Sequence, residues 1–255
     1  MKYLVTLFVV LFSGLLLANP INDKCPQFVV WGAPQVNVEG NNQYICRTAY
    51  ALNYNYSTKV SYFVVERVTP AQIKGTVSRK NDFREDPSIP ANHRSTLKDY
   101  AASGYDRGHM APAANFASSE LAMSESFFLS NMMPQAPGNN RGIWKYTEEL
   151  TRKWVEKHGE LFVITGTIYD NKNSAKIIGA GVHVPTHVYK IVIDPKANRS
   201  ISFLFPNVKL NVSDLENYIV TIADVEKAAG VNISPALPSN LSHIETTKAN
   251  LKEWQ

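Results

Sequence analysis

Hydrophobic and polar positions divide the chain into a leader, several strand-like segments, one polar excursion and one strongly periodic helix. Tyr3 to Leu17 is an almost unbroken apolar run behind one basic residue, Lys2, and it ends at the small Ala18. That is the pattern of a secretory signal peptide; it is short for a membrane span and lacks a basic stop-transfer flank. Residues 1–18 are therefore expected to be cleaved, with an uncleaved anchor as the alternative. Residues 19–255 are read as one domain. Asn19 to Gln43 is turn-rich around Phe28–Trp31. Tyr44 to Tyr56 alternates loosely and predicts one strand with a turn at Asn53-Tyr54-Asn55, and the β-branched Val60–Val68 predicts a second, ended by Thr69-Pro70. Lys74 to Gly104 is polar and aperiodic, with Pro87 and Pro90. A connection that long in a compact domain is usually functional.

After this excursion, Gly108 and Pro112 give His109 the setting of an irregular strand or hairpin. Ser118 is the expected N-cap of a short helix, Ser119–Phe127, and Leu129–Pro134 reads as a brief strand. Arg141–His158 carries the clearest helical period: Ile143, Tyr146, Leu150 and Trp154 share one stripe, and Gly159 follows as the terminator. Leu161–Thr167, Val182–Val184, Val188–Ile193 and Ile201–Phe205 are apolar with little alternation, as in central strands covered on both faces. Tyr218–Ile222 predicts a shorter strand, Asp224–Ala229 a helix closed by Gly230, and Pro235–Gln255 a turn-rich, partly helical tail. The order of elements makes an α+β domain, without repeats or linkers.

Composition changes this picture little. Of 255 residues 44% are hydrophobic and 19% charged, enough for a sizeable core. The net charge of +4 becomes +3 once Lys2 leaves, 25 basic against 22 acidic residues. It permits a polyanionic substrate without arguing for one. The two cysteines, Cys25 and Cys46, read as a disulfide in an exported chain.

The candidate chemistry lies between Tyr105 and Glu149. Asp106-Arg107-Gly108-His109 places an imidazole beside a guanidinium. A neutral His109 can take a proton from water, and Arg107 can pair with phosphoryl oxygens, with Arg79 reaching in from the polar excursion and Arg84 as the other choice. Asn140 is the candidate ligand of a hard cation such as Mg²⁺, with adjacent Asn139 weakly distinguished from it. Glu148 follows Asn140 by about two helical turns and roughly 80° of rotation, so it can reach the same side. Asn131 either braces the hairpin or touches substrate. Taken singly, these residues have ordinary structural readings: Asn140 as an N-cap, Glu148 as a solvated charge, the arginines as surface cations. His183 and His187 have the spacing of a helical zinc pair, but Pro185 and strand-like surroundings speak against one.

Together, YDRGHMAPAANF (105–116), FFLSNMMPQAPGNN (127–140) and Trp144-x-x-x-Glu148 resemble the DNA/RNA non-specific endonuclease family with its ββα-metal finger, which includes secreted bacterial nucleases and endonuclease G. The stretch Asp82–Gly104 resembles endonuclease G in particular, and similarity continues through FVITGTIYD, VPTHVYKIVI, FLFPN and ADVEKAAG. Asn81 stands where endonuclease G usually has a cysteine. The resemblance implies a single α+β domain with a central, mostly antiparallel sheet flanked by helices.

At the site, the resemblance implies His109 as general base and Asn140 as the protein ligand of one Mg²⁺, with Mn²⁺ as a substitute. Glu148 would hold a water of the metal's shell, Arg107 and Arg79 would stabilise phosphoryl charge, and Asn131 matches a position near the site. The implied substrates are DNA and RNA, single- or double-stranded, cut to 5′-phosphorylated fragments in a basic groove around Arg79, Arg94 and Arg107. The resemblance also allows a homodimer. With the leader removed, the protein is expected to be periplasmic or secreted and not stably membrane-associated. The competing expectations are a catalytically silent nucleic-acid-binding relative and a phosphodiesterase for small nucleotides.

Overall fold

The computed structural model describes residues 19–36, 41–170 and 176–255; the expected leader lies outside them. Its centre is a seven-stranded sheet built from β1 (Asn42–Cys46), β2 (Tyr50–Asn55), β3 (Val60–Val68), β6 (Leu161–Ile168), β7 (His187–Asp194), β8 (Arg199–Pro206) and β9 (Ile219–Val220). The strand order is β9-β8-β7-β6-β3-β2-β1, and every pairing is antiparallel. The intervening β4 (Asp106–His109) and β5 (Met132–Gln135) form a separate two-stranded ribbon. The main helices are α1 (Glu120–Glu125), α2 (Lys145–His158) and α3 (Ile222–Ala229).

The weak alternation in the strands has the predicted cause: both faces are covered. Leu52, Val64, Val163, Val188 and Phe203 pack into one core with Trp144 and Trp154, beneath β4, β5 and α2. Ala51, Phe63, Phe162, Tyr189 and Ile191 point the other way, into a second core with Ile21, Phe28 and Val225. The period of two along each strand assigns successive apolar residues to opposite cores. Cys25 and Cys46 form a disulfide that ties the N-terminal segment to β1. No helix among the described residues is long and apolar enough to cross a membrane.

Several predicted elements shift. The single strand expected over Tyr44–Tyr56 is two, β1 and β2, because the chain reverses at Arg47–Ala49. Arg47 is drawn to the buried carboxylate of Asp86, and the Thr48 amide donates to Glu125 Oε2 at 2.7 Å. The first strand is thereby paired back on the second instead of continuing it. Ser119, not Ser118, caps α1, accepting from the Ala122 amide. Val182–His183 pairs only with Ile177–Ile178 in a small ribbon and is not a central strand. Thr221 supplies a capping box that starts α3 at Ile222, two residues early, and Gly230 closes it at φ 66°.

The polar excursion Lys74–Gly104 contains only two short helical turns, yet it is tied down along its length. Val77 N donates to Ala117 O, Arg84 N to Phe127 O, and Leu129 N returns a bond to Arg84 O. Asp86 accepts from Arg47, Ser88 and Ser130, and these bonds hold its carboxyl below the usual range although burial works in the opposite sense. The excursion is a wall fastened to the segments around β4 and β5.

Candidate active site

β4, β5 and α2 form a ββα unit, and its regular hydrogen bonds decide where His109 and Asn140 sit. In the ribbon His109 pairs with Met132 and Gly108 with Met133. Gly108 leaves room for Gln135: a methyl group there would come within 2.1 Å of Gln135 Oε1. Gln135 Nε2 in turn donates to Asn139 Oδ1 at 2.7 Å, while Asn139 Nδ2 donates to Pro206 O at 2.9 Å. Asn139 is thus a fully buried brace with both amide ends spent. Its neighbour differs. Asn140 Nδ2 donates to Asp106 Oδ2 at 2.9 Å, which leaves the amide oxygen as the end without a hydrogen bond among the described residues.

The helix expected from Arg141 begins differently. Asn139–Trp144 is a π-helical turn with a kink at Gly142, and regular α-helix runs from Lys145 to His158. The helical rotation argument that linked Asn140 to Glu148 therefore does not apply across the kink. The kink itself turns Asn140 back toward Asp106 while α2 carries Glu148 into the same cleft. Trp144 Nε1 donates to the His109 carbonyl at 3.2 Å and locks α2 against β4. Of the expected stripe, Ile143, Leu150 and Trp154 are buried and Tyr146 only partly so.

An open cleft of about 730 Å³ collects Arg79, Arg107, His109, Asn140, Glu148 and Arg152. Five of these six were expected from sequence. Arg152 was not, although it falls four residues after Glu148 on the stripe begun by Trp144, which was the available signal. Arg107 lies 4.3 Å over the Phe83 ring and Arg79 5.0 Å over that of Phe127. His109 packs edge-on to Phe127, with ring centroids 5.1 Å apart. Its imidazole is buried and Nε2 has no protein partner. Burial, then the charges of Arg79 and Arg107, push its pKa down to about 3.

Other candidates are placed elsewhere. Arg84 is committed to Asp82 and Ser124 and lies 4.1 Å over Phe128, outside this cleft, so Arg79 is the upstream arginine that reaches it. Arg94 is a correction to the expected groove: its guanidinium donates to the carbonyls of Ile89 and Pro87 and stays in the loop. Asn131 is likewise no cleft residue. It is fully buried, accepts from Ala111 N at 2.9 Å and donates to Ala111 O and Ser126 O. It clamps the chain just behind His109, which is the bracing role. Asp106 also orients: it accepts from Asn140 and twice from Arg141.

The comparisons with known proteins identify the family and the fold. The description of the DNA/RNA non-specific endonuclease family matches residues 32–240. Nuclease C1 of Cunninghamella echinulata var. echinulata is 36% identical over 201 residues, covering 72% of this chain and 80% of that protein. Human mitochondrial endonuclease G is 34% identical over 220 residues, covering 81% and 74%. In three dimensions, a chain from the crystal structure of the EndoG/EndoGI complex superposes with a TM-score of 0.76 at 29% identity, covering 87% of this chain and 94% of that one. The fold is that of a nucleic-acid phosphodiester hydrolase. The chain belongs to the DNA/RNA non-specific endonuclease family, and it is a metal-dependent endonuclease.

The donor set fits such a metal. Asn140 offers an amide oxygen whose orientation Asp106 fixes, and Glu148 a carboxylate in the same cleft. Both are hard oxygen donors suited to a small divalent cation that keeps most of its water.

Proposed function

We propose that the protein is an exported, sugar-non-specific endonuclease that hydrolyses DNA and RNA to 5′-phosphorylated fragments. The observation that carries this reading is the convergence of His109, Arg107, Arg79, Asn140 and Glu148 on one open cleft. His109 is the general base. Its neutral imidazole takes a proton from the attacking water. Burial is the main cause of the depressed imidazole pKa; an anionic phosphodiester against Arg79 and Arg107 offsets the smaller part that their charges contribute. The guanidiniums then face the charge that grows on the phosphoryl oxygens.

Asn140 and Glu148 would hold a Mg²⁺ ion, for which Mn²⁺ can substitute, Asn140 by direct ligation and Glu148 through water. Bound there, the ion would supply Lewis-acid relief of charge on the leaving oxygen. Asp106 keeps the Asn140 amide oxygen turned outward, and the aromatic rings of Phe83 and Phe127 seat the arginines. Export is supported by the apolar leader at residues 3–17 and by the Cys25–Cys46 bridge, which suits an oxidising compartment.

Digestion of plasmid DNA and of RNA by the purified protein, with Mg²⁺ and with EDTA, tests the reading. Both polymers should be cut with Mg²⁺ and spared with EDTA. Cleavage of small nucleotide diesters without competition from long polymers would favour a phosphodiesterase instead.

A further inference from the structure

The sheet face beneath the cleft is largely apolar but carries Glu66 on β3, Thr165 on β6 and Lys190 on β7. Glu66 and Lys190 are each only 1% exposed. Sealing a carboxylate and an ammonium inside a core costs several kcal/mol per ion unless both are well partnered. Lys190 Nζ donates to Thr165 Oγ1 at 2.9 Å and lies 4.6 Å over the ring of Trp144, just before α2 begins. Glu66 Oε2 accepts from Asn115 Nδ2 at 3.0 Å, and Asn115 Oδ1 accepts from Arg152 Nη1 at 3.4 Å.

The polarity of this second chain is informative. An amide has one donating and one accepting end. The Glu66 carboxyl on the inner side takes the donating end, which leaves the oxygen facing outward, where a guanidinium uses it. The stripe Trp144, Glu148, Arg152, which runs from the residue before α2 onto that helix, is therefore met from below at both ends: by a cation under Trp144 and by an amide-relayed anion behind Arg152. Burial pushes the Glu66 carboxyl up to about 7, against the opposing pull of Lys190 and the Asn115 bond.

We propose that Asn115, backed by Glu66, is a positioning residue that holds the Arg152 guanidinium at the cleft, where it meets a backbone phosphate of bound nucleic acid. This rests on reading the cleft as the nucleic-acid site. Asn115 touches no substrate; it acts through Arg152, which would otherwise be free to swing along the half-exposed surface of α2.

The test is binding of a fluorescein-labelled DNA duplex to the full chain in EDTA, followed by anisotropy across a range of salt. Arg152→Ala should weaken binding about tenfold and reduce the slope of log K against log salt by about 0.9, one phosphate contact. Asn115→Ala should weaken binding roughly threefold to tenfold when Arg152 is present and no further in the Arg152→Ala background. Should Asn115→Ala not fold, the isosteric Glu66→Gln takes its place, with a smaller loss in the same direction and the same dependence on Arg152. A purely structural role would lower the melting temperature and weaken binding equally in both backgrounds. That result, or no loss in either, overturns the proposal. If the wild-type protein neither binds nor cuts DNA, the reading of the cleft has failed, and the wild type alone reveals it.

Discussion

Along one wall of the cleft, His109 and Asn140 are placed by backbone pairing and buried, hydrogen-bonded amides: β4 against β5, Asn131 on Ala111, Gln135 on Asn139. Along the other, Arg79 stands on an irregular excursion and is oriented by side chains, with Nε donating to Asn81 at 2.7 Å and the guanidinium over Phe127. The first wall has little freedom to lose on binding, whereas the second depends on a few weak contacts worth about 0.5–1 kcal/mol each at exposed sites. Groups that move a proton or ligate an ion tolerate little displacement. A cation that only has to meet a phosphate tolerates more. The molecule divides its site accordingly.

The strongest way to break this contrast is at the rigid wall. His109→Ala should lower plasmid cleavage by at least ~10²–10⁴-fold, the range for a lost general base, far more than the loss of stability from removing a buried ring would explain. Near-wild-type cleavage would remove His109 from the mechanism.

The two adjacent asparagines sharpen it. Asn140→Ala should reduce cleavage at limiting Mg²⁺ by ~10²-fold or more while leaving stability intact. Asn139→Ala strands Gln135 Nε2 and Pro206 O in the interior and should cost about 1–3 kcal/mol in urea unfolding. Normal cleavage at limiting Mg²⁺ by Asn140→Ala with impaired cleavage by Asn139→Ala would reverse the assignment.

At the looser wall the effects are smaller. Arg79→Ala should lower kcat/KM by about ten- to a hundredfold, the loss of one charge-assisted contact. Arg84→Ala, whose partners are Asp82 and Ser124, should change stability rather than cleavage. An Arg84→Ala variant as impaired as Arg79→Ala would mean that the excursion rearranges on binding.

The mildest probe is pH. The folded pKa of His109 lies near 3 while the unfolded value is the usual 6.5, so the unfolded chain takes up the extra proton first. Stability from this residue is complete above pH 6.5 and falls as pH drops from there toward 3. Urea titrations of the wild type and of His109→Asn should converge as pH falls through that window. An imidazole that titrates near 6.5 by NMR in the free protein would contradict the burial.

Much of this protein is written in local sequence. The β-branched run Val60–Val68, the capping and closing residues around α3, and Asp-Arg-Gly-His followed by Asn-Asn and Trp-x-x-x-Glu are short-range patterns, and short-range patterns carry the strands, the helix ends and the roster of chemical groups. What they cannot carry is how a side chain spends its hydrogen bonds. Asn139 and Asn140 are identical in type and adjacent; Pro206, from a strand far along the chain, makes one a brace and leaves the other facing the cleft. Arg79, Arg84 and Arg94 are interchangeable as letters, and only contacts with Phe127, Ser124 and the Ile89 carbonyl separate them. Arg152 gains its place through Asn115 and Glu66, 37 and 49 residues apart along successive links of one buried chain. Local patterns set which groups exist and on which kind of element they ride. Tertiary structure decided which remain unspent, because a polar atom's partners in a packed core come from segments distant in sequence.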